Sequence, residues 1–299
     1  MIADRLFERI ASHGPVCFGL DTAASYVPPA LAARFADEAE AILAYNRALI
    51  DATHDVVACY KVQVAYYEAL GLKGMQAYAR TLAYVRSKGV PVIGDVKRGD
   101  IAATGGQYAQ GHFHGDFEAD WITVNPYMGT DAIAPFVDAA VAADKGVFVL
   151  VRTSNPGAAD FEYLPVEGEP REPLYMHVAA KVASLAEGCR GASGYSAVGA
   201  VTGCTQRSEV AAVRRALAGC FLLIPGYGAQ GGTAEDVAAY LVDGNGGVVN
   251  ASRSLLLAWK KAPDGETRFA EAARDATLGM RDDIAAAVAA AARQHGEAR

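Results

Sequence analysis

The sequence has few cysteines, no run of positive charge and no long apolar stretch. Its five cysteines are scattered and include no Cys-x-x-Cys pair, so a disulfide framework is not indicated. The formal net charge of −7 argues against a nucleic-acid-binding surface. No apolar run approaches the roughly 20 residues that span a bilayer, and the charged N-terminus lacks the apolar core of a signal peptide. We therefore expect a cytoplasmic protein with reduced cysteines, and neither nucleic acid nor membrane as a partner.

The six histidines include the pair His112-x-His114. A metal site needs three or four protein ligands, and the sequence offers no third ligand at a useful spacing. We therefore interpret the pair as an ordinary helix-end or loop feature, with a metal site as the alternative.

Short apolar runs alternate with alanine-rich amphipathic stretches along most of the chain. The predicted strands are Val16–Leu20, Val56–Tyr60, Val90–Gly94, Trp121–Val124, Gly146–Val151, Ala197–Val201, Phe221–Ile224 and Gly247–Asn250. The predicted helices are 31–52, 74–88, 102–117, 130–144, 173–188, 206–218 and 234–242. Such alternation implies parallel strands joined by right-handed crossovers. We predict an α/β fold with a single (β/α)8 TIM barrel domain over residues 1–299, and an alanine-rich C-terminal helix at about 283–295.

The segment Asp95-Val-Lys-Arg-Gly-Asp100 follows the third predicted strand. Residues two apart on a strand share a face, so Asp95 and Lys97 should project in the same direction. Two carboxylates around one ammonium are costly to remove from water, and such groups are typical of catalytic sites. The alternative is a structural ion-pair network that closes the mouth of the barrel.

Polar residues also follow several other predicted strands. Asp21 follows the first, Lys61 the second, Ser154 the fifth and Arg253 the eighth. Because TIM barrels carry their functional residues at the C-terminal ends of the strands, we expect these side chains to meet the Asp95 segment at one pocket. The loop after Ser154 is long, and the stretch 158–172 is interpreted equally well as a lid or as a surface excursion.

The segment Ile224-Pro-Gly-Tyr-Gly-Ala-Gln-Gly-Gly232 contains a literal G-x-G-x-x-G. A dinucleotide-binding loop is one interpretation, but the motif lies in the seventh unit and the next strand ends in Asn250 rather than an acidic residue. We favour a phosphate-binding loop with Gln230 at its tip, helped by Arg253 and by backbone N–H groups at a helix start.

Together these segments resemble the orotidine 5′-phosphate decarboxylase family, in its longer bacterial subclass. The motifs that carry the resemblance are Asp95-x-Lys97-x-x-Asp100-Ile-x-x-Thr104, Leu20-Asp21, Tyr60-Lys61, Ser154-Asn-Pro-Gly157, Pro225-Gly-x-Gly-Ala-Gln230-Gly-Gly and Arg253-Ser254. They span about residues 16–257 in the order of the family. The resemblance implies cofactor-free decarboxylation of orotidine 5′-phosphate to UMP, in de novo pyrimidine biosynthesis, by a homodimer with shared active sites.

The resemblance also implies a role for each residue. Asp95 would lie against the substrate carboxylate, while Lys97 would stabilise the C6 carbanion and protonate it. Asp100 would come from the neighbouring subunit together with Ile101 and Thr104. The remaining substrate-binding positions would be Asp21 and Lys61 at the ribose, Ser154 at the pyrimidine edge, Gln230 between base and phosphate, Pro225 beside them, and Ser252 and Arg253 at the phosphate. Many relatives have glycine where this chain has Ser252.

Three rival functions fit part of the pattern. A sugar-phosphate decarboxylase or aldolase of the same barrel group would use the acidic-basic strand with a divalent metal. A Schiff-base aldolase would use Lys97 as its nucleophile. A catalytically silent barrel would bind a nucleotide or phosphate as a sensor.

Overall fold

The computed structural model describes residues 1–168, 171–204, 207–228 and 231–297. In chain order, the strands of these residues are β1 (Val16–Gly19), β2 (Cys59–Gln63), β3 (Val92–Arg98), β4 (Trp121–Val124), β5 (Gly146–Arg152), β6 (Pro165–Val166), β7 (Glu172–Pro173), β8 (Ser196–Thr202), β9 (Cys220–Pro225) and β10 (Gly247–Ala251). All except β6 and β7 are parallel and close into a barrel in the order β1-β10-β9-β8-β5-β4-β3-β2. The predicted TIM barrel is confirmed.

Helices surround the barrel on its outside. They are α1 (Ile2–His13), α2 (Pro29–Ala32), α3 (Glu38–Thr53), α4 (Ala65–Glu68), α5 (Gly71–Ser87), α6 (Ala102–Phe113), α7 (Thr130–Ala142), α8 (Leu174–Ala186), α9 (Val210–Ala216), α10 (Ala234–Ala238), α11 (Arg253–Leu256) and α12 (Phe269–Glu297). The C-terminal helix α12 begins well before the segment 283–295. None of the helices described here combines the length and hydropathy needed to cross a membrane.

The prediction of a single helix over 31–52 is wrong, because the structure has two helices there, α2 and α3. The second helix begins after Asp37, whose Oδ1 accepts hydrogen bonds from the N–H groups of Ala39 at 2.9 Å and Glu40 at 3.4 Å. An aspartate in this position caps the free amides of a helix start. The alanine-rich composition continues across the break and therefore conceals it.

Two strand predictions end three or more residues too early. Strand β2 continues through Lys61, and β3 continues through Asp95 and Lys97. Apolar runs locate buried strands only while the buried residues are apolar. Lys61 and Asp95 are buried as partners of one another, so the strands extend past the point where the apolar pattern stops.

The barrel interior is filled by large aromatic side chains. Trp121 on β4 lies 4.7 Å from Phe148 on β5, measured between ring centroids. All seven residues of β8 are buried, as expected for a strand covered on both faces. Helix α1 covers the opposite end from the predicted site: Asp4 Oδ1 accepts from Ser193 N–H at 2.8 Å, just before β8. The C-terminal end of the barrel is therefore the end left open for a ligand.

Helix α6 is attached to β3 through a buried histidine. Arg98 Nε donates a hydrogen bond to His112 Nε2 at 3.3 Å. Burial, reinforced by the positive charge of Arg98, lowers the pKa of His112 to about 4. The ring therefore stays neutral around pH 7 and serves as an acceptor for Arg98.

The free energy of unfolding should fall as the pH drops from about 6.5 to 4, because the unfolded chain then binds a proton at His112 that the folded chain excludes. The folded pKa lies below the unfolded one, so this loss is confined to that window and is on the order of 3 kcal/mol. His112→Gln keeps an acceptor for Arg98 but does not titrate. It should reduce the number of protons taken up on unfolding in this pH range by nearly one. Urea unfolding at a series of pH values measures the difference; identical slopes for the two proteins would contradict it.

Candidate active site

Four charged side chains from the first three strands form a continuous network at the open end of the barrel. Lys61 Nζ lies 2.8 Å from Asp21 Oδ1 and 3.0 Å from Asp95 Oδ2. Lys97 Nζ lies 2.6 Å from the other oxygen of Asp95, Oδ1. The side chains alternate in charge, so each ammonium has a carboxylate neighbour. The structure therefore brings together Asp21, Lys61, Asp95 and Lys97.

Both central members of the network are buried in their charged form. Lys61 is 5% exposed and Asp95 is 6% exposed. Burial opposes ionisation of Asp95, but the positive charges of Lys61 and Lys97 outweigh it and hold the pKa of Asp95 well below its usual range. Burial likewise disfavours the charged form of Lys61, yet Asp21 and Asp95 raise its pKa above the ordinary value. Both groups stay ionised at neutral pH.

Lys97 differs from Lys61 in exposure and in backbone conformation. Its side chain is 47% exposed, so its ammonium lies at the wall of the cavity, whereas that of Lys61 is buried. Its φ of 45° places the backbone in the left-handed region, which few residues other than glycine adopt. An irregular strand end thus holds the side chain that the sequence predicted as catalytic.

Asp95 has two further hydrogen-bond donors that the sequence analysis missed. Gln63 Nε2 donates to Asp95 Oδ2 at 2.8 Å, and Thr123 Oγ1 donates to Asp95 Oδ1 at 2.9 Å. Each oxygen of the carboxylate therefore accepts from one ammonium and one neutral donor. A signal for Gln63 was its position two residues after Lys61 on one strand, and a signal for Thr123 was the single hydroxyl in an apolar strand.

The network faces a cavity of about 310 Å³. The predicted residues that line it are Asp21, Lys61, Asp95, Lys97, Ser154 and Pro225. A neighbouring cavity of about 320 Å³ contains Ser252 and Arg253 and shares Asp21, Pro225 and Asn250 with the first. Tyr26 and Tyr66 also line this second cavity and were missed by the sequence analysis. Two adjoining compartments suit a ligand with two chemically different ends.

Ser252 connects the second cavity to the charge network. Its Oγ donates to Asp21 Oδ2 at 2.9 Å. A Cβ at Gly19 would lie 2.0 Å from that Oγ, so glycine is needed at this point of β1. The hydroxyl of Ser252 therefore orients Asp21, while Arg253 begins α11 at the edge of the cavity.

Ser154 lies at the opposite side of the first cavity, directly after β5. A Cβ at Gly203 would come within 2.9 Å of Ser154 Cβ, so β5 and the loop after β8 approach closely there. Arg152 anchors the loop after Ser154. Its Nη1 lies 3.3 Å from Glu162 Oε2, and its Nε lies 3.1 Å from Glu209 Oε2. Strands β6 and β7 form a short antiparallel pair farther along this loop.

Three of the predicted site residues line neither cavity of their own chain: Asp100, Ile101 and Thr104. Asp100 Oδ1 accepts from the N–H of Ile101 at 2.8 Å, and Ile101 is 53% exposed. Thr104 is exposed on the first turn of α6. Gln230 lies outside the described residues.

A metal-assisted reaction would need a cluster of suitable ligands near the cavity. Within residues 1–168, 171–204, 207–228 and 231–297, no group of three His, Cys, Asp or Glu side chains could hold a metal ion. The carboxylates that face the cavity are instead occupied by ammonium groups, through the contacts of Lys61 and Lys97.

Comparison with known proteins gives a consistent result over nearly the whole chain. The profile described as "Orotidine 5′-phosphate decarboxylase / HUMPS family" matches residues 14–266. Orotidine 5′-phosphate decarboxylase of Clostridium perfringens (strain 13 / Type A) is 53% identical over 288 residues, covering 96% of this chain and 99% of the relative. The Clostridium acetobutylicum protein of the same name is 52% identical over 284 residues, covering 95% and 99%.

A solved structure agrees with these sequence relatives. The OMP decarboxylase of Leishmania donovani superposes with a TM-score of 0.76 at 32% identity, covering 96% of this chain and 98% of that one. The match to the full length of the Clostridium proteins confirms the longer bacterial subclass. The profile, the relatives and the barrel lead to one conclusion: the chain belongs to the orotidine 5′-phosphate decarboxylase / HUMPS family.

Proposed function

We propose that Lys97 and Asp95 form the reaction centre of this chain, a carboxy-lyase that converts orotidine 5′-phosphate to UMP in pyrimidine biosynthesis. The observation that carries the proposal is the 2.6 Å contact between Lys97 Nζ and Asp95 Oδ1 at the wall of the cavity. A partly exposed ammonium held by a buried carboxylate can meet a substrate without losing its own counter-charge.

The chemistry requires a fixed positive charge. Loss of CO2 from C6 of the pyrimidine leaves an electron pair in the plane of the ring, where no adjacent group delocalises it. Lys97 would stabilise that charge as it forms, because a preorganised cation acts strongly where water is excluded. The same ammonium would then donate a proton to C6, giving UMP and a neutral amine that regains its proton from solvent.

Asp95 would contribute in two ways. It holds Lys97 in place, and its own negative charge would lie beside the substrate carboxylate. The four donors around Asp95 keep it ionised, so it cannot relieve this repulsion by taking up a proton. Departure of CO2 would remove the repulsion, which favours the transition state over the bound substrate.

The two compartments match the two ends of the substrate. Ser154 and Pro225 line the cavity beside Lys97, where the pyrimidine would lie. Arg253 and the backbone of Ser252 would bind the phosphate in the second compartment. Asp21 lies between the two, next to Lys61, at the position suited to the ribose hydroxyls. By the family resemblance, Gln230 would bridge the base and the phosphate.

A homodimer would explain the position of Asp100. Asp100, Ile101 and Thr104 lie outside their own cavity, on the loop and first turn after β3. The neighbouring loop after β4 exposes two large apolar side chains, Tyr127 (84% exposed) and Met128 (48% exposed). An exposed apolar surface of this kind is typical of a protein interface. A second copy bound here would place its Asp100 against the Lys97 of this chain.

We also propose a cytoplasmic location and a reaction that needs no metal or organic cofactor. All five cysteines are free and buried, which suits a reducing compartment. The cation and the acid that the reaction requires can both be supplied by Lys97.

Lys97→Ala should reduce kcat by roughly 1000-fold or more, because the variant loses both the cation and the proton donor. Binding of UMP should remain measurable, since the phosphate contacts are unchanged. Absorbance assays with orotidine 5′-phosphate and calorimetry with UMP measure the two effects. Lys73→Ala, at an exposed lysine paired with Asp37, is the matched control and should retain full activity. Near-normal turnover by the Lys97 variant would refute the proposed role.

Exhaustive treatment with EDTA should leave the decarboxylation rate unchanged, because Lys97 supplies the charge that a metal would otherwise provide. The assay distinguishes this mechanism from that of the rival, a metal-dependent sugar-phosphate decarboxylase or aldolase. A rate that falls with chelation and returns with a divalent cation would favour the rival.

Mixing inactive Lys97→Ala chains with inactive Asp100→Ala chains should restore about a quarter of the wild-type activity, because half of the randomly reassorted dimers regain one intact shared site. Subunit exchange is checked independently with differently tagged chains. If exchange is complete and no activity returns, both residues belong to the site of a single chain.

A further inference from the structure

The end of β3 contains an irregularity that lies directly opposite Thr123. Gly94 pairs with Ile122 on β4, and Arg98 pairs with Val124, with a shift of register between them. The three residues Asp95, Val96 and Lys97 therefore face a single residue of the neighbouring strand. Such a bulge leaves backbone groups without their ladder partners and redirects side chains.

The hydroxyl of Thr123 takes the place of the missing ladder partner. Its oxygen accepts from the N–H of Val96 at 3.0 Å and from the N–H of Lys97 at 2.9 Å. Its proton is donated to Asp95 Oδ1 at 2.9 Å. A hydroxyl has one proton and two lone pairs, so these three bonds use its full capacity. Thr123 is 1% exposed.

These bonds fix both members of the proposed reaction centre. The bond to Asp95 holds the oxygen that contacts Lys97 Nζ. The bond from the Lys97 N–H holds that residue at its φ of 45°, a strained backbone conformation that persists only when its surroundings enforce it. Thr123 therefore fixes the backbone from which the Lys97 side chain extends and the position of the Asp95 carboxylate that contacts it.

We infer that Thr123 is a positioning residue for the decarboxylation, acting through Asp95 and Lys97. This inference rests on the proposed roles of those two residues. Because the hydroxyl is fully engaged within the protein, it has no hydrogen bond left for the substrate. Its removal should consequently affect the chemical step rather than the binding of the nucleotide.

The test compares Thr123→Val with Thr123→Ser. Valine keeps the shape of threonine without the hydroxyl, and we expect kcat to fall about 10- to 100-fold because the reacting groups are misplaced. Serine keeps the hydroxyl and should restore most of kcat. The affinity for UMP should stay at the wild-type value in both, and titration with UMP also counts the folded sites. If valine prevents folding, the pair Thr123→Ala and Thr123→Ser gives the same comparison.

Amide hydrogen exchange supplies a second readout. The N–H groups of Val96 and Lys97 should exchange faster in Thr123→Val than in Thr123→Ser, since only serine retains their acceptor. Wild-type kcat in the valine variant, or equal losses in the valine and serine variants, would overturn the inference. If Lys97→Ala is inactive while Thr123→Val is fully active, the inference alone fails; if Lys97→Ala is active, the proposed reaction centre fails as well.

Discussion

The buried carboxylate of Asp95 is the group on which the rest of the site depends. It contacts both ammonium groups, one at each oxygen, and it receives two neutral donors from neighbouring strands. A lone charge at this depth would be neutralised or excluded, whereas a fully hydrogen-bonded one persists. Removal of any one of these four donors would leave the negative charge of Asp95 incompletely compensated. The arrangement therefore holds the Lys97 ammonium at the wall of the cavity.

The barrel supplies this arrangement because adjacent parallel strands end at one rim. Asp21 follows β1, Lys61 lies on β2, Asp95 on β3 and Thr123 on β4, and their side chains contact one another across the neighbouring strands. The opposite end is closed by α1, and the interior is filled by aromatic side chains. The strands thus carry most of the charged groups, while Ser154 after β5 and Tyr227 after β9 line the two cavities.

Much of the fold could be predicted from the sequence because each barrel strand contains an apolar run, and the bounds of Trp121–Val124 agree with the structure. The ends of β2 and β3 could not, since Lys61 and Asp95 become buried only by pairing with each other. The role of Thr123 depends on a register shift between two strands, which no local pattern reveals. The proposed position of Asp100 beside the Lys97 of a second chain would depend on geometry that a single sequence does not contain.

The most direct measurement is a crystal structure of the chain with UMP bound. The proposed reaction centre predicts Lys97 Nζ within hydrogen-bond distance of Asp95, facing C6 of the pyrimidine, with the phosphate against Arg253. It also predicts the Asp100 carboxylate of a second subunit on the far side of Lys97. A structure in which the Lys97 amine points into solvent, away from C6, would contradict the central claim.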